Sequence, residues 1–230
     1  MDRDAVLGLL AERIGALPRP ALVAVDGVDG AGKTVLADDL AVVLRVRGVR
    51  VVRVGIDGFH RPRRERYARG RSSPEGYFLD SFDLDAFGRC VLEPVGRGAG
   101  EVRTAVFDHR SDRPVAGDRH EVAGSVVLVD GVFLQRDELA DAWDLAVFLR
   151  TGFEASYARM SVRDGCPPDP ADPSNRRYLE GQLLYLRTCR PEERADVVLD
   201  VTDVRAPVVV SDAKTVSRVR CRQPWRPSGR

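Results

Sequence analysis

The residues Gly27-Val28-Asp29-Gly30-Ala31-Gly32-Lys33-Thr34 complete a G-x-x-x-x-G-K-[ST] phosphate-binding loop. Lys33 is one of only two lysines in the chain; almost every other basic residue is arginine. The loop needs a compact ammonium on a flexible stem to reach the β- and γ-phosphates of a nucleotide. A planar guanidinium fork does not fit that space. Lys33 is thus a candidate both for binding and for catalysis. Asp29, Gly30, Ala31, Gly32, Thr34 and Val35 are the other nucleotide-side candidates. The Thr34 hydroxyl is placed to ligate Mg²⁺. The plain alternative, a glycine-rich turn without a ligand, does not account for so complete a pattern.

Two further acids give the loop a reaction. Asp57 ends a second apolar run and Asp130 a third, after Val126-Val127-Leu128-Val129. Phosphoryl transfer to an alcohol needs a cation on the phosphates, a carboxylate to orient and deprotonate the hydroxyl, and positive charge over the group in flight. Asp130 suits the metal-holding role, acting through water. Asp57 suits the base, and joins the metal side if it touches the shell. Either alone reads equally well as an aspartate in a strand-end turn. With the phosphate loop beside them, the chemical reading prevails.

The elements around these residues support that geometry. Ala21–Val25 reads as a buried strand and residues 35–44 as a helix, so strand, glycine loop and helix surround the phosphates with N–H groups. Residues 4–16 are predicted helical, and Val49–Ile56 a second strand closing at Asp57-Gly58-Phe59-His60. Residues 61–81 read as a long polar loop or broken helices, and 83–95 as a helix. Val102–Phe107 is a strand with His120-Glu121-Val122 as its hairpin partner. Ser125–Val129, Leu145–Leu149 and Ala195–Val201 are the third, fourth and fifth strands of the main sheet. Phe153–Asp164 and Arg177–Arg187 are helical, with a mobile Pro/Asp-rich stretch, Cys166–Ser174, between them. Strands alternating with helices predict an α/β fold, a doubly wound and mainly parallel five-stranded sheet. Ligands in such sheets lie beyond the carboxyl ends of the strands, where Asp57, Asp130 and the loop should converge.

Composition bounds the rest. The 230 residues fit one domain with a substantial core, taken as 1–216, with a basic tail over 217–230 that reads as flexible. Thirty-six basic and 35 acidic residues leave a net charge of +1, so no overall field favours nucleic acid or a membrane surface. The four cysteines lie far apart, with no C-x-x-C pair, which suggests reduced thiols in a cytoplasmic protein. The opening residues are not patterned as a signal peptide, and no apolar run reaches transmembrane length.

Several segments resemble the uridine kinase / phosphoribulokinase family of small-molecule kinases, in matching order over about residues 20–205. These are the phosphate loop, Asp57-Gly58-Phe59-His60, Gly76-Tyr77-Phe78-Leu79-Asp80-Ser81-Phe82-Asp83, Val129-Asp130-Gly131-Val132-Phe133 and Arg159-Met160-Ser161-Val162-Arg163-Asp164. The resemblance implies ATP- and Mg²⁺-dependent phosphorylation of a primary hydroxyl, with Asp57 as base. Asp130 stands where uridine kinases usually carry a glutamate. Arg159 and Arg163 match lid arginines, within a lid spanning 159–177. The insert 101–122 resembles an acceptor-binding hairpin, and Phe107-Asp108 an aromatic–Asp pair that contacts the acceptor. His60, Phe82, Asp83, His109 and Asp112 complete the acceptor-side candidates. The departures concern the acceptor. Tyr77 is the best match where uridine kinases carry an aspartate for the ribose diol. The hairpin histidine that reads the pyrimidine has no counterpart at its usual spacing; Asp112 is nearest.

The expectation is a kinase acting on a nucleoside-like small molecule, with a homo-oligomer left open. A sugar phosphate, a pantothenate-like alcohol or a specialised metabolite are alternative acceptors. A regulatory P-loop NTPase acting on a protein partner is the second class, and a nucleic-acid binder using the tail the third.

Overall fold

Strand β1 (Ala21–Gly27) is buried along its whole length, because the sheet extends and is covered on both sides of it. In this computed structural model, which describes residues 2–212, the chain begins with α1 (Arg3–Gly15), capped by the Asp2 carboxylate on the Ala5 N–H. After β1 come α2 (Lys33–Val46), β2 (Arg50–Gly55) and a 3₁₀ turn, Ile56–Phe59. Short helices α3 (Arg63–Arg66), α4 (Pro74–Asp80), α5 (Leu84–Phe87) and α6 (Glu93–Arg97) follow. Next are β3 (Glu101–Arg103), β4 (Phe107–Asp108), β5 (Arg113–Pro114), β6 (Arg119–Glu121), β7 (Ser125–Gly131) and β8 (Leu145–Arg150). The last elements are α7 (Phe153–Asp164), α8 (Arg176–Cys189), α9 (Pro191–Arg194), β9 (Val197–Asp200) and β10 (Val208–Asp212).

The main sheet runs β10-β9-β8-β1-β7-β2. Its five expected strands are parallel; β10, not foreseen, adds an antiparallel edge on β9. Alternate residues of each central strand enter opposite cores. Leu22, Val127 and Phe148 pack with α4–α6 and α8, whereas Val23, Leu128 and Val147 pack with α1 and α2. That division is the doubly wound arrangement. The register aligns the strand ends: Val25 and Gly55 both pair with Asp130. Asp57 follows two residues after Gly55, in the turn that leaves the same end of the sheet.

Two expectations need correction. The single hairpin from Val102 to Phe107 is two short ladders. Val102 pairs with His120 in one, and Phe107 with Pro114 in the other. Between them the chain bonds elsewhere: Val106 N–H donates to the Gly58 carbonyl at 2.8 Å, and Gly117 N–H to the Ala105 carbonyl at 3.1 Å. A Cβ on Gly58 would fall 2.7 Å from the Thr104 carbonyl oxygen, so this close approach requires glycine. The helix over 83–95 is interrupted by a π turn, Gly88–Leu92. Pro94, just beyond it, lacks an N–H and would crowd the Cys90 carbonyl in a regular helix; the widened turn relieves this. The tail 217–230 lies outside the described residues.

Candidate active site

The phosphate loop is shaped by glycines with left-handed backbones. Gly30 has φ +70° and Gly32 φ +87°. A Cβ on Gly30 would meet the Ser156 carbonyl oxygen at 2.6 Å, so α7 packs directly on the loop. The loop then feeds the N-terminus of α2, where free N–H groups and the helix dipole favour phosphate. Lys33 Nζ donates to the Val28 carbonyl at 2.7 Å. Thr34 Oγ1 donates to Asp130 Oδ2 at 2.6 Å. Asp130 is buried, and its other oxygen accepts from Arg53 at 2.9 Å. Arg53 also donates to Asp38 at 3.0 Å and to the Leu128 carbonyl at 3.0 Å, so all three of its nitrogens are engaged.

Two helix residues hold the loop from behind. Tyr185 and Gln182, on α8, bind two acids of the first strand and loop. Tyr185 donates to Asp26, which also accepts from the Gly27 N–H at 2.8 Å. Burial raises the Asp26 pKa against those bonds and the charge of Lys33. Gln182 accepts from the Asp29 N–H at 2.8 Å and donates to Asp29 Oδ2 at 3.0 Å. Tyr77 donates to the same Oδ2 at 2.7 Å. Desolvation raises the Asp29 pKa, with Lys33 opposing and Asp57 reinforcing the shift.

Asp57 stands on the 3₁₀ turn with its side chain 70% exposed, and its nearest ionic neighbour is His60 Nδ1 at 3.9 Å. The His60 Nδ1 is 2.9 Å from the Asp57 carbonyl oxygen. A carbonyl only accepts, so that nitrogen carries the proton. The His60 ring stacks on His109 at 4.5 Å and against Phe82 at 4.6 Å. Burial lowers its pKa, and Asp57 opposes that shift. Asp57, His60, Phe82 and His109 therefore form one cluster at the end of β2.

The remaining acceptor-side candidates have partners of their own. Asp83 caps α5 through the Ala86 N–H at 2.9 Å. Asp108 accepts from the Ser111 hydroxyl at 2.6 Å and the Arg110 N–H at 3.0 Å, and the Ser111 bond lowers its pKa. Phe107 is buried at the base of the hairpin tip. Asp112 accepts from the Arg63 N–H at 2.8 Å and so ties the hairpin to α3. Of the lid arginines, Arg159 reaches the loop: it donates to the Gly30 carbonyl at 3.1 Å and to the Val201 and Thr202 carbonyls at 2.8 Å. Arg163 is exposed at the end of α7 and pairs with Asp164 at 2.7 Å.

Several features around the loop were not visible in the sequence reading. An apolar cavity of about 350 Å³ adjoins Gly30–Gly32. It is walled by Leu149, Met160, Val201, Val204 and Pro207, with Arg3 and Arg159 at its edges. Arg177, at the start of α8, is buried and donates to the carbonyls of Arg66 at 3.0 Å, Gly70 at 3.3 Å and Ser73 at 3.0 Å. It thereby fixes the path of the segment after Asp57. The available signals were Arg53 inside an apolar strand and Gln182 and Tyr185 three apart on one helix face. No sequence signal pointed to the cavity wall.

Among the described residues no cluster of three His, Cys, Asp or Glu side chains could hold a metal alone. Cys90, Cys166 and Cys189 are free, and no helix among the described residues is long and apolar enough to cross a membrane.

No family model and no curated protein matches the chain. Solved structures do. A possible uridine kinase from Bacillus stearothermophilus superposes with a TM-score of 0.63 at 24% identity, over 85% of this chain and 97% of that one. A candidate fructose transport system kinase from Silicibacter sp. TM1040 gives 0.58 at 27% identity, over 76% and 93%. Phosphoribulokinase from Rhodobacter spheroides gives 0.52 at 17% identity, over 78% and 70%. The resemblance read from the sequence extends to the fold: the chain shares the α/β fold of these solved kinase structures.

Proposed function

We propose that this chain is an ATP- and Mg²⁺-dependent kinase that transfers the γ-phosphoryl group to a hydroxyl of a small molecule, first among them a nucleoside-like acceptor. The carrying observation is the 2.6 Å bond between Thr34 and Asp130 beside Lys33. It brings two hard oxygen donors together at the mouth of the phosphate loop. Thr34 and Asp130 would hold Mg²⁺, Asp130 through water, and the ion would neutralise phosphate charge. The apolar cavity beyond Gly32 accommodates the base.

Asp57 then works on the acceptor. Its carboxylate accepts a hydrogen bond from the attacking hydroxyl and takes the proton as the new O–P bond forms and the bond to the β-phosphate oxygen breaks. Lys33 covers the phosphates during transfer, and Arg159 joins it once nucleotide displaces its carbonyl partners. The lid over 159–177 closes on this side. His60, Phe82 and His109 provide an aromatic wall for the acceptor, and Asp112 holds the hairpin against α3.

A second reading keeps the kinase and changes the acceptor to a sugar phosphate, a pantothenate-like alcohol or a specialised metabolite. The observation favouring it is that Asp108 and Phe107 are engaged within the hairpin. ADP release measured across nucleosides, sugar phosphates and pantothenate tests both. Turnover above the acceptor-free rate with one class identifies it. ATP hydrolysis stimulated only by a protein partner would overturn the kinase reading in favour of a regulatory NTPase.

A further inference from the structure

The first residue of α1 reaches the wall of the apolar cavity beside the phosphate loop. Arg3 Nε and Nη2 donate to Asp39 Oδ2 at 3.2 and 2.8 Å, and Nη1 donates to the Val204 carbonyl at 2.7 Å. Asp39 lies on α2, the helix that follows the phosphate loop, and Val204 on the loop between β9 and β10. Both line the cavity next to Gly30–Gly32, as does Arg3 itself. One guanidinium thus spans two elements of that wall. Val204 also approaches the phosphate loop: a Cβ on Gly32 would sit 3.8 Å from its Cγ1. A second arginine holds the same segment, since Arg159 donates to the Val201 and Thr202 carbonyls at 2.8 Å. In the proposed reaction Arg159 leaves those carbonyls for the phosphates, and Arg3 then keeps its hold from α1. The Arg3–Asp39 pair is partly exposed, at 25% and 45% of the two side chains, so it contributes little to global stability. Nor does α1 depend on it for docking, because Val6, Leu7, Leu10, Ala11 and Ile14 are buried.

We infer that Arg3 is a positioning residue for nucleotide: by joining Asp39 to the Val204 carbonyl it presets the cavity wall against which the nucleobase packs. This rests on the nucleotide half of the kinase reading. It adds to that reading an element, α1, which precedes the residues that carry the family resemblance. A wall ordered before the base arrives costs less on binding than one that must be ordered by it. Arginine suits the task because its planar fork reaches two acceptors at once, which a single ammonium does not. The phosphates, bound by loop N–H groups and Lys33, do not depend on this bridge. Asp39 neutralises the guanidinium, so removing Arg3 changes little of the field at the phosphates.

The test compares two ligands by isothermal titration calorimetry, each with Mg²⁺: a non-hydrolysable ATP analogue, and inorganic tripolyphosphate, which carries three phosphates and no base. The wild type should bind the analogue more tightly. Arg3→Met keeps an unbranched stem and loses the donors. It should weaken the analogue by about tenfold, the weight of a hydrogen bond to a charged group, and leave tripolyphosphate unchanged. Arg3→Lys keeps the charge without the fork and should fall between wild type and Arg3→Met. It also supplies the same comparison should Arg3→Met fail to fold. Analogue affinity retained in Arg3→Met overturns the inference, as does an equal loss for both ligands. So does wild-type analogue affinity in Arg3→Lys, because charge alone would then suffice. A wild type that binds the two ligands equally overturns it as well, since the cavity then takes no base. A wild type that binds neither ligand is a separate result, and it removes the nucleotide reading itself.

Discussion

Lys33 donates its ammonium to the carbonyl of Val28 at 2.7 Å, so the phosphate loop is closed by its own lysine. The contact keeps the long side chain folded across the loop, where the phosphates would lie. Binding nucleotide exchanges one oxygen partner for a more highly charged one, with little rearrangement of the stem.

Lys33→Ala should lower kcat by about 10²-fold or more, since the ammonium gains most as charge develops on the transferring group. Circular dichroism and melting temperature should stay near wild type, because Lys33 is only partly buried and its ammonium bonds a loop carbonyl. Near-normal turnover would remove the loop lysine from the chemistry.

Asp57→Asn keeps size and most hydrogen bonds but loses the basic oxygen. Transfer to the best acceptor should fall by about 10²-fold or more. ATP-analogue affinity, measured with and without Mg²⁺, should hold. Wild-type transfer would reduce Asp57 to a turn residue and move the base to another acid in the crevice, Asp83 or Asp108.

Arg53→Met should raise the Mg²⁺ concentration needed for tight nucleotide binding by about 10- to 100-fold, the usual effect of losing an outer-shell partner. The physical cause is that Asp130 loses the 2.9 Å bond that fixes its orientation. Titrating Mg²⁺ against bound ATP analogue reads this without turnover. An unchanged Mg²⁺ midpoint would make Arg53 a sheet-edge residue only.

His60 gives a dependence on acidity. Burial lowers its folded pKa below the unfolded value near 6.5, so the folded state binds fewer protons. Its contribution to stability is complete above that unfolded value and declines as pH falls below it. Asp57 opposes this, whereas His109 and Arg66 add to it. The melting temperature should therefore drop less between pH 7.5 and pH 5 in His60→Gln than in wild type. An equal drop would show that the ring titrates as it does in water.

The phosphate loop, the parallel strands and the acidic strand ends were legible because each follows from local pattern: a glycine spacing, an apolar run, an acid that ends it. Residues 153–164 were read to the residue, since α7 is an amphipathic helix with a glycine beyond it. What escaped depends on contacts distant in sequence. The hairpin split in two because Val106 bonds to Gly58, 48 residues away. Strand β10 carries the β-branched run Val208-Val209-Val210, but three of its five residues are exposed, and the sequence reading passed over so short an edge strand. Tyr77 was assigned to the acceptor by its position in a motif, and only the folded chain reveals Asp29 opposite its hydroxyl.

The buried guanidinium of Arg177 secures the segment from Arg66 to Ser73 through main-chain oxygens, and it also lies over the Tyr67 ring at 4.9 Å. Every amino acid offers the same oxygen. At a position such as Ala68 the side chain can therefore change without displacing the backbone, whereas Arg66, Tyr67, Arg69 and Ser73 hold contacts of their own. The fixed arginine thus separates the path of this segment from part of its side-chain chemistry, which is the condition under which a loop can vary in sequence and keep its shape.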